Sequence, residues 1–120
     1  MVIKKVNLSG HYNEGLAEEG FTFPGALQVD LADSDLEQKV CQWLEDNLDV
    51  SSSDSIEIAP PGLPRLRDIV IAWCHGKTGH FPTTVCPRKT DEGFVFDQRV
   101  DMQSIRNELA RKSREGVVEL

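Results

Sequence analysis

Residues 60–82, PPGLPRLRDIVIAWCHGKTGHFP, decide how the rest of the chain is read. Pro60-Pro61-Gly62 is a turn, and Pro64 suits the first turn of a helix, where its missing N–H has no partner to lose. From there Leu63, Leu66, Ile69, Val70 and Trp73 recur at the spacing of one buried helix face. Gly76 predicts the end of that helix, because glycine accepts positive φ without a Cβ clash. The segment that follows sets His75, Lys77, Thr78 and His80 among Gly76, Gly79 and Pro82. Glycines beside cationic and hydroxyl side chains let a ligand approach the backbone closely.

Upstream, Val2 to Leu8 predicts a first strand that exits into Ser9-Gly10-His11, the kind of strand-to-loop exit that lines ligand sites in α/β proteins. One or two helical turns are expected around Asn13 to Glu19, closing at Gly20, and Ala26 to Leu31 alternates as a second strand. Asp33 or Ser34 then caps a helix carrying Leu36, Val40, Trp43, Leu44 and Leu48 on one stripe. After the serine-rich loop Asp49 to Asp54, Ile56 to Ala59 forms a short third strand that feeds the central helix. Downstream, Thr83 to Pro87 and Gly93 to Asp97 predict two strands joined by the turn Thr90-Asp91-Glu92-Gly93. Asp101 caps a last helix with Met102, Ile105 and Leu109, ended by Gly116. Strands alternating with helices predict a single α/β domain over residues 1–120, small, three-layered and Rossmann-like, with a mostly parallel sheet and a C-terminal β-hairpin and helix.

Composition bounds the function. The chain has 120 residues, 39% hydrophobic and 28% charged, which is ordinary for a soluble globular domain. It has no apolar run near the ~20 residues that span a bilayer. The N-terminus lacks a signal-peptide core. Three cysteines without disulfide-like spacing fit a reducing cytoplasm. A net charge of −7 argues against a DNA-coating protein. The charge is unevenly spread: residues 12–54 hold eleven acids against Lys39, while residues 65–89 hold Arg65, Arg67, Lys77, Arg88 and Lys89 against Asp68. One basic patch in an acidic shell suits a compact anion.

Several motifs are weaker than they look. Gly76-Lys77-Thr78 matches the end of a P-loop, but Ile71 stands where the loop needs glycine and a helix precedes it. Cys74, His75, His80 and Cys86 do not match zinc-ligand spacing, so no metal or other cofactor is expected. Cys41 lies inside an amphipathic helix, a poor place for a reactive thiol. Trp43 and Trp73 fall on apolar stripes, and Arg106, Arg111, Lys112 and Arg114 read as a solvated helix face favourable to its dipole. His11 and His80, in glycine-containing loops, are better placed to donate to a phosphate or exchange a proton.

The strand ending Asn7-Leu8-Ser9-Gly10-His11, the turn Pro61-Gly62-Leu63-Pro64, the segment His75-Gly76-x-x-Gly79-x-Phe81-Pro82 and the closing Val100-Asp101 with its Arg-rich helix occur in that order. Together they resemble a family of small CRISPR-associated accessory proteins of type III systems, related to the CARF domains that sense cyclic oligoadenylate. Tyr12 follows His11 where the family pattern has a proline. The resemblance implies a CARF-like domain that binds cyclic tetra-adenylate as a homodimer or higher homo-oligomer and damps its signal by sequestration or metal-independent ring cleavage. It implies ligand contacts from Ser9, Gly10, His11, Gly62, Arg65, Gly76, Lys77, Thr78, Gly79 and His80. In the cleavage form, Lys77 stabilises phosphorane charge and His11 or His80 moves the proton. Two other readings stay open: a Rossmann-like enzyme acting on a mononucleotide or phosphate ester, and an interaction protein whose acidic helix Ser34 to Asp49 docks a basic partner.

Overall fold

The computed structural model describes residues 2–111. Its centre is a four-stranded mixed sheet in the order β1 (Ile3–Asn7), β2 (Ser55–Ala59), β3 (Thr83–Thr90), β4 (Gly93–Asp101). β1 and β2 are parallel from Ile3↔Ser55 to Asn7↔Ala59, and β3 joins β2 in parallel at Glu57↔Thr83 and Ile58↔Thr84. β4 returns antiparallel to β3. The expected α/β architecture is present, with three parallel strands and a terminal hairpin. Strand order advances in one direction without reversing.

Alternation along β2 divides its side chains between two clusters. Ile56 and Ile58 meet Val6, Leu8, the α2 (Leu36–Asn47) residues Leu36, Val40 and Leu44, and the α3 (Pro64–Thr78) residues Leu66, Val70, Trp73 and Cys74. On the other side, Ala59 and Val85 pack with Phe21 and with Leu16 of the short helix α1 (Glu14–Glu18). Arg99 of β4 extends that second cover with ion pairs to Glu57 at 3.3 Å and Glu19 at 2.9 Å.

Several expectations change in detail. Ala26–Leu31 is not a strand. The outer edge of β1 is already occupied by Thr22, which bridges Val6, accepts from Asn7 N–H at 2.8 Å and donates to Lys5 C=O at 3.0 Å. With no ladder to join, the 26–31 segment runs as irregular chain and contributes Leu27 and Val29 to the core. Helix α2 begins at Leu36. Asp33 does not cap it directly but accepts from the Asp35 N–H at 2.9 Å and pairs with Lys39. Both hairpin strands are longer than expected. The last helix is capped as expected, with the Asp101 carboxylate accepting from Ser104 N–H at 3.0 Å. Its turn Met102–Ser104 (α4) continues as a wider π-helical segment, Ile105–Ala110, and its expected end at Gly116 lies outside the described residues.

The hairpin overhangs the sheet. β2 stops at Ala59, so β3 from Val85 to Thr90 rises about 17 Å past the carboxyl ends of β1 and β2, paired only with β4. It carries one bulge: Cys86 faces Gln98 but Pro87 faces Phe96, leaving Asp97 as an extra residue. Pro87 has no N–H to give to a ladder, which fits an interruption there. Asp97 bonds to Arg88 through both carboxylate oxygens, at 3.2 and 2.6 Å.

The end of α3 also differs from expectation. Gly76 lies within the helix, and Gly79 terminates it at φ 79°, its N–H donating to His75 C=O at 2.8 Å. The two glycines therefore have opposite consequences. Gly76→Ala, with open space for a Cβ, is expected to stabilise the protein by about 0.5–1 kcal/mol. Gly79→Ala, forced into the left-handed region, is expected to destabilise it by about 1 kcal/mol. Urea unfolding of the two variants checks both signs.

Candidate functional site: a cleft at the carboxyl edge of the sheet

Parallel pairing sends the chain out of β1 and β2 at the same edge of the sheet. The exits Ser9-Gly10-His11 and Pro60-Pro61-Gly62 therefore share a rim, as expected if these strands were neighbours. The rim opens into a cleft of about 1110 Å³. Its floor includes Leu8, Leu66 and the buried prolines, and the hairpin overhang walls one side with Pro87, Phe94 and Phe96. Tyr12 and Asn13 complete the lip, and the Asn13 amide donates to Phe94 C=O at 3.4 Å, joining the loop to the wall. This volume is slightly above the range of small-molecule sites, roughly 300–1,000 Å³.

The rim loop is held from below by Asn7, the last residue of β1, which is only 2% exposed. Its Oδ1 accepts from Ser9 N–H at 3.0 Å and Ser9 Oγ–H at 2.6 Å, and its Nδ2 donates to His11 C=O at 2.9 Å. Gly10 occupies the left-handed region at φ 86°, and the loop closes around it. Three of the bonds that shape the 9–11 turn thus involve a buried amide on a strand, and Ser9 Oγ adds two within the turn, donating to His11 C=O at 3.1 Å and accepting from His11 N–H at 3.3 Å, which makes the turn a rigid platform.

Facing this loop is the amino end of α3. Leu63 flanks the helix without a side-chain cap, Pro64 opens it, and its first turn holds no acid. The positive end of the helix dipole is left uncompensated at the cleft. Arg67 lines the cleft, half-buried, with a guanidinium nitrogen 4.0 Å from Cys86 Sγ and no carboxylate partner among the described residues.

Of the residues expected to contact a ligand, Ser9, Gly10, His11 and Gly62 line the cleft. Arg65 is exposed and does not. Gly76, Lys77, Thr78, Gly79 and His80 lie at the other end of α3, about 20 Å away along its axis. There they are engaged in local structure. Lys77 Nζ lies 3.0 Å from both Glu45 oxygens and 5.7 Å from the centre of the Trp73 ring, and Trp73 Nε1–H donates to Glu45 at 3.1 Å. His80 lies 3.4 Å from Ser55 Oγ and 3.1 Å from Thr78 C=O, while Thr78 Oγ–H donates back to Cys74 C=O at 3.0 Å. His75 stacks on Phe81 with centroids 4.4 Å apart, and burial pushes the Cys74 thiol up to about 12. One copy of the chain does not bring Lys77 or His80 to the cleft.

Sequence reasoning passed over Asn7, Arg67 and the aromatic wall as site residues. Arg67 had a signal: it lies four residues after Leu63 and three before Val70, an arginine on the apolar stripe of its helix. Phe94 and Phe96 had none, because their position depends on the length of the overhang. Comparison with known proteins adds nothing to this geometry: no protein-family description, curated protein or solved structure matches the chain. Among the described residues no helix is long and apolar enough to cross a membrane.

Two measurements follow from this arrangement. Asn7→Ala removes the acceptor of Ser9 N–H and one of the two donors to His11 C=O and is expected to cost about 1–3 kcal/mol in urea unfolding. The second concerns pH. Hydrogen bonding from Lys77, and then from Trp73, holds the Glu45 carboxyl below its ordinary value of 4.5. A depressed carboxylate contributes stability above pH 4.5, and that contribution is lost as pH falls through the folded value. Glu45→Gln is therefore expected to lower the urea midpoint at pH 7 and to flatten its decline below about pH 4.5.

Proposed function

We propose that the cleft is the binding site of a phosphoester-bearing nucleotide, with cyclic tetra-adenylate, the ligand implied by the sequence resemblance, as the specific candidate. One juxtaposition carries this reading. The Ser9-Gly10-His11 platform faces an uncapped helix amino terminus and Arg67, which has no carboxylate partner among the described residues, across a cleft walled by Tyr12, Phe94 and Phe96. Phosphate takes hydrogen bonds from backbone N–H groups, hydroxyls and guanidinium, and a base takes an aromatic face. The βαβ succession and the ligand edge at the carboxyl ends of parallel strands are in keeping with a Rossmann-like, CARF-like domain.

Capture is the form of activity this arrangement favours. Ring opening by a ribose 2′-OH needs in-line positioning, charge stabilisation on the phosphorane and a proton relay. Lys77, assigned to charge stabilisation, is paired with Glu45 far from the cleft of its own copy. Only a second copy, placed by a homo-oligomeric two-fold axis, brings Lys77 and His80 to the ligand. The cleft of one copy retains His11 and Arg67, which suffice to hold a phosphate.

Titration of radiolabelled cyclic tetra-adenylate without metal, read on native and denaturing gels, tests this reading. The ring is expected to be retained intact. Arg67→Ala is expected to weaken binding by roughly tenfold to a hundredfold, the loss of one charge-assisted contact, and Lys77→Ala to leave the Kd within about twofold. Unchanged affinity in Arg67→Ala would remove the ligand from the cleft. Lost affinity in Lys77→Ala would instead support a site shared between copies.

A further inference from the structure

The inner face of the hairpin carries more than a cleft wall requires. Strand alternation puts Pro87 and Lys89 of β3 on one face. The register sets Phe96 opposite Pro87 and Phe94 opposite Lys89. Pro87, Phe94 and Phe96 line the cleft, so Lys89 continues the same face one step farther from the sheet. Phe94 is 60% exposed, an aromatic face with little protein against it. Lys89 is exposed and has no hydrogen-bond or carboxylate partner among the described residues, whereas its neighbour Arg88, on the opposite face, is held through two bonds by Asp97. The hairpin neutralises its outward cation and leaves the inward one unpaired. Beyond Lys89 the sign reverses at the tip, where Asp91 and Glu92 form the turn.

From Arg67 in the cleft to Lys89 at its outer rim, the two aromatic rings Phe96 and Phe94 lie between two cations. Same-face positions on a strand recur about every 6.6 Å, comparable with the step between successive phosphates of an extended nucleotide chain. We propose that the inner face of the hairpin is a second nucleotide subsite. The ligand is at least two nucleotides joined by a phosphodiester: the first phosphate lies between the Ser9-Gly10 platform and Arg67, the second base stacks on Phe94, and its phosphate meets Lys89. The charges of Asp91 and Glu92 oppose a third phosphate along this run, so two units fill it. This inference rests on the reading of the cleft as a nucleotide site. It adds a minimum ligand length and separates that ligand from a mononucleotide.

Calorimetric titration of the full chain with adenosine monophosphate and with 5′-phosphorylated linear di- and triadenylate tests it. The dinucleotide is expected to bind about tenfold more tightly than the mononucleotide, and the third unit to add no more than about twofold. Lys89→Ala, at an exposed position outside the cleft lining, is expected to bring the dinucleotide close to the mononucleotide's affinity while leaving the latter within about twofold, and Phe94→Ala to weaken the dinucleotide by a larger factor than the mononucleotide. Lys89→Ala is also expected to reduce the slope of log affinity against log salt for the dinucleotide by about 0.7. Equal affinity for the one- and two-unit ligands, or a dinucleotide advantage that survives both variants, overturns the second subsite. If the mononucleotide binds and Arg67→Ala abolishes that binding, such a result leaves the cleft reading standing. Absence of binding by all three ligands overturns the second subsite, and overturns the cleft reading as well when cyclic tetra-adenylate is also not retained.

Discussion

Parallel pairing of Ile3–Asn7 with Ser55–Ala59 is the constraint on which the rest of the molecule depends. It fixes which side chains of β2 meet the two long helices and which meet α1, and it directs both strand exits to one edge. The ladder extends one rung further through Leu8 N–H to Ala59 C=O at 2.8 Å. Asn7 sits at its end with its backbone N–H held by Thr22 and its side chain turned to shaping the next four residues. An amide fixed by the sheet on one side and by a loop on the other conveys the rigidity of the sheet to the rim. Reversing either strand would send the platform and the helix start to opposite edges, and no cleft would form between them.

Helix α3 connects two differently charged environments. At its amino end the dipole is uncapped and Arg67 has no carboxylate partner among the described residues, while at its carboxyl end Lys77 is neutralised by Glu45 of α2. A cation near a helix carboxyl terminus is already favourable, and the carboxylate from the adjoining helix adds a tie between the two. The basic character visible in residues 65–89 therefore divides: Lys77 holds α2 to α3, Arg88 is held by Asp97 within the hairpin, Arg65 is exposed away from the cleft, and Arg67 is left in it. Lys77 and His80 attract notice in sequence because glycines surround them, yet the glycine that matters there, Gly79, serves to end a helix.

The parts of the fold that were legible are those whose apolar period is decisive. The stripes Leu36–Val40–Leu44 and Leu66–Val70–Trp73 predicted two helices that the core confirms, and the Pro61-Gly62 turn placed the start of the second. Gly76 and Gly79 were indistinguishable as helix terminators, because what separates them is φ, set by how far the helix packs before the chain must turn into β3. Ala26–Leu31 alternates like a strand, but a strand needs an open edge, and occupation of the β1 edge by Thr22 is a tertiary fact. At the site, Ser9, Gly10, His11 and Gly62 were found because strand exits and glycine turns are local signals. Arg65 was chosen over Arg67 because charge alone ranks them equally; two residues apart on a helix, they point in nearly opposite directions.

The bulge at Asp97 sets the phase of the aromatic wall. Across it, Phe96 and Arg99 share a face although they are three positions apart, because Asp97 takes up one position without a partner. In an uninterrupted strand, parity would place Phe94 and Phe96 with Gln98 and Val100, turned away from the cleft, and would bring Val95 inward. The bulge thus lets β4 carry one residue more than its partner strand without turning the aromatic wall away from the cleft. Deleting Asp97 would close the bulge and keep Phe96 opposite Pro87 and Phe94 opposite Lys89, so lineages of this chain can lose the bulge residue, and with it the clasp on Arg88, without losing the aromatic wall.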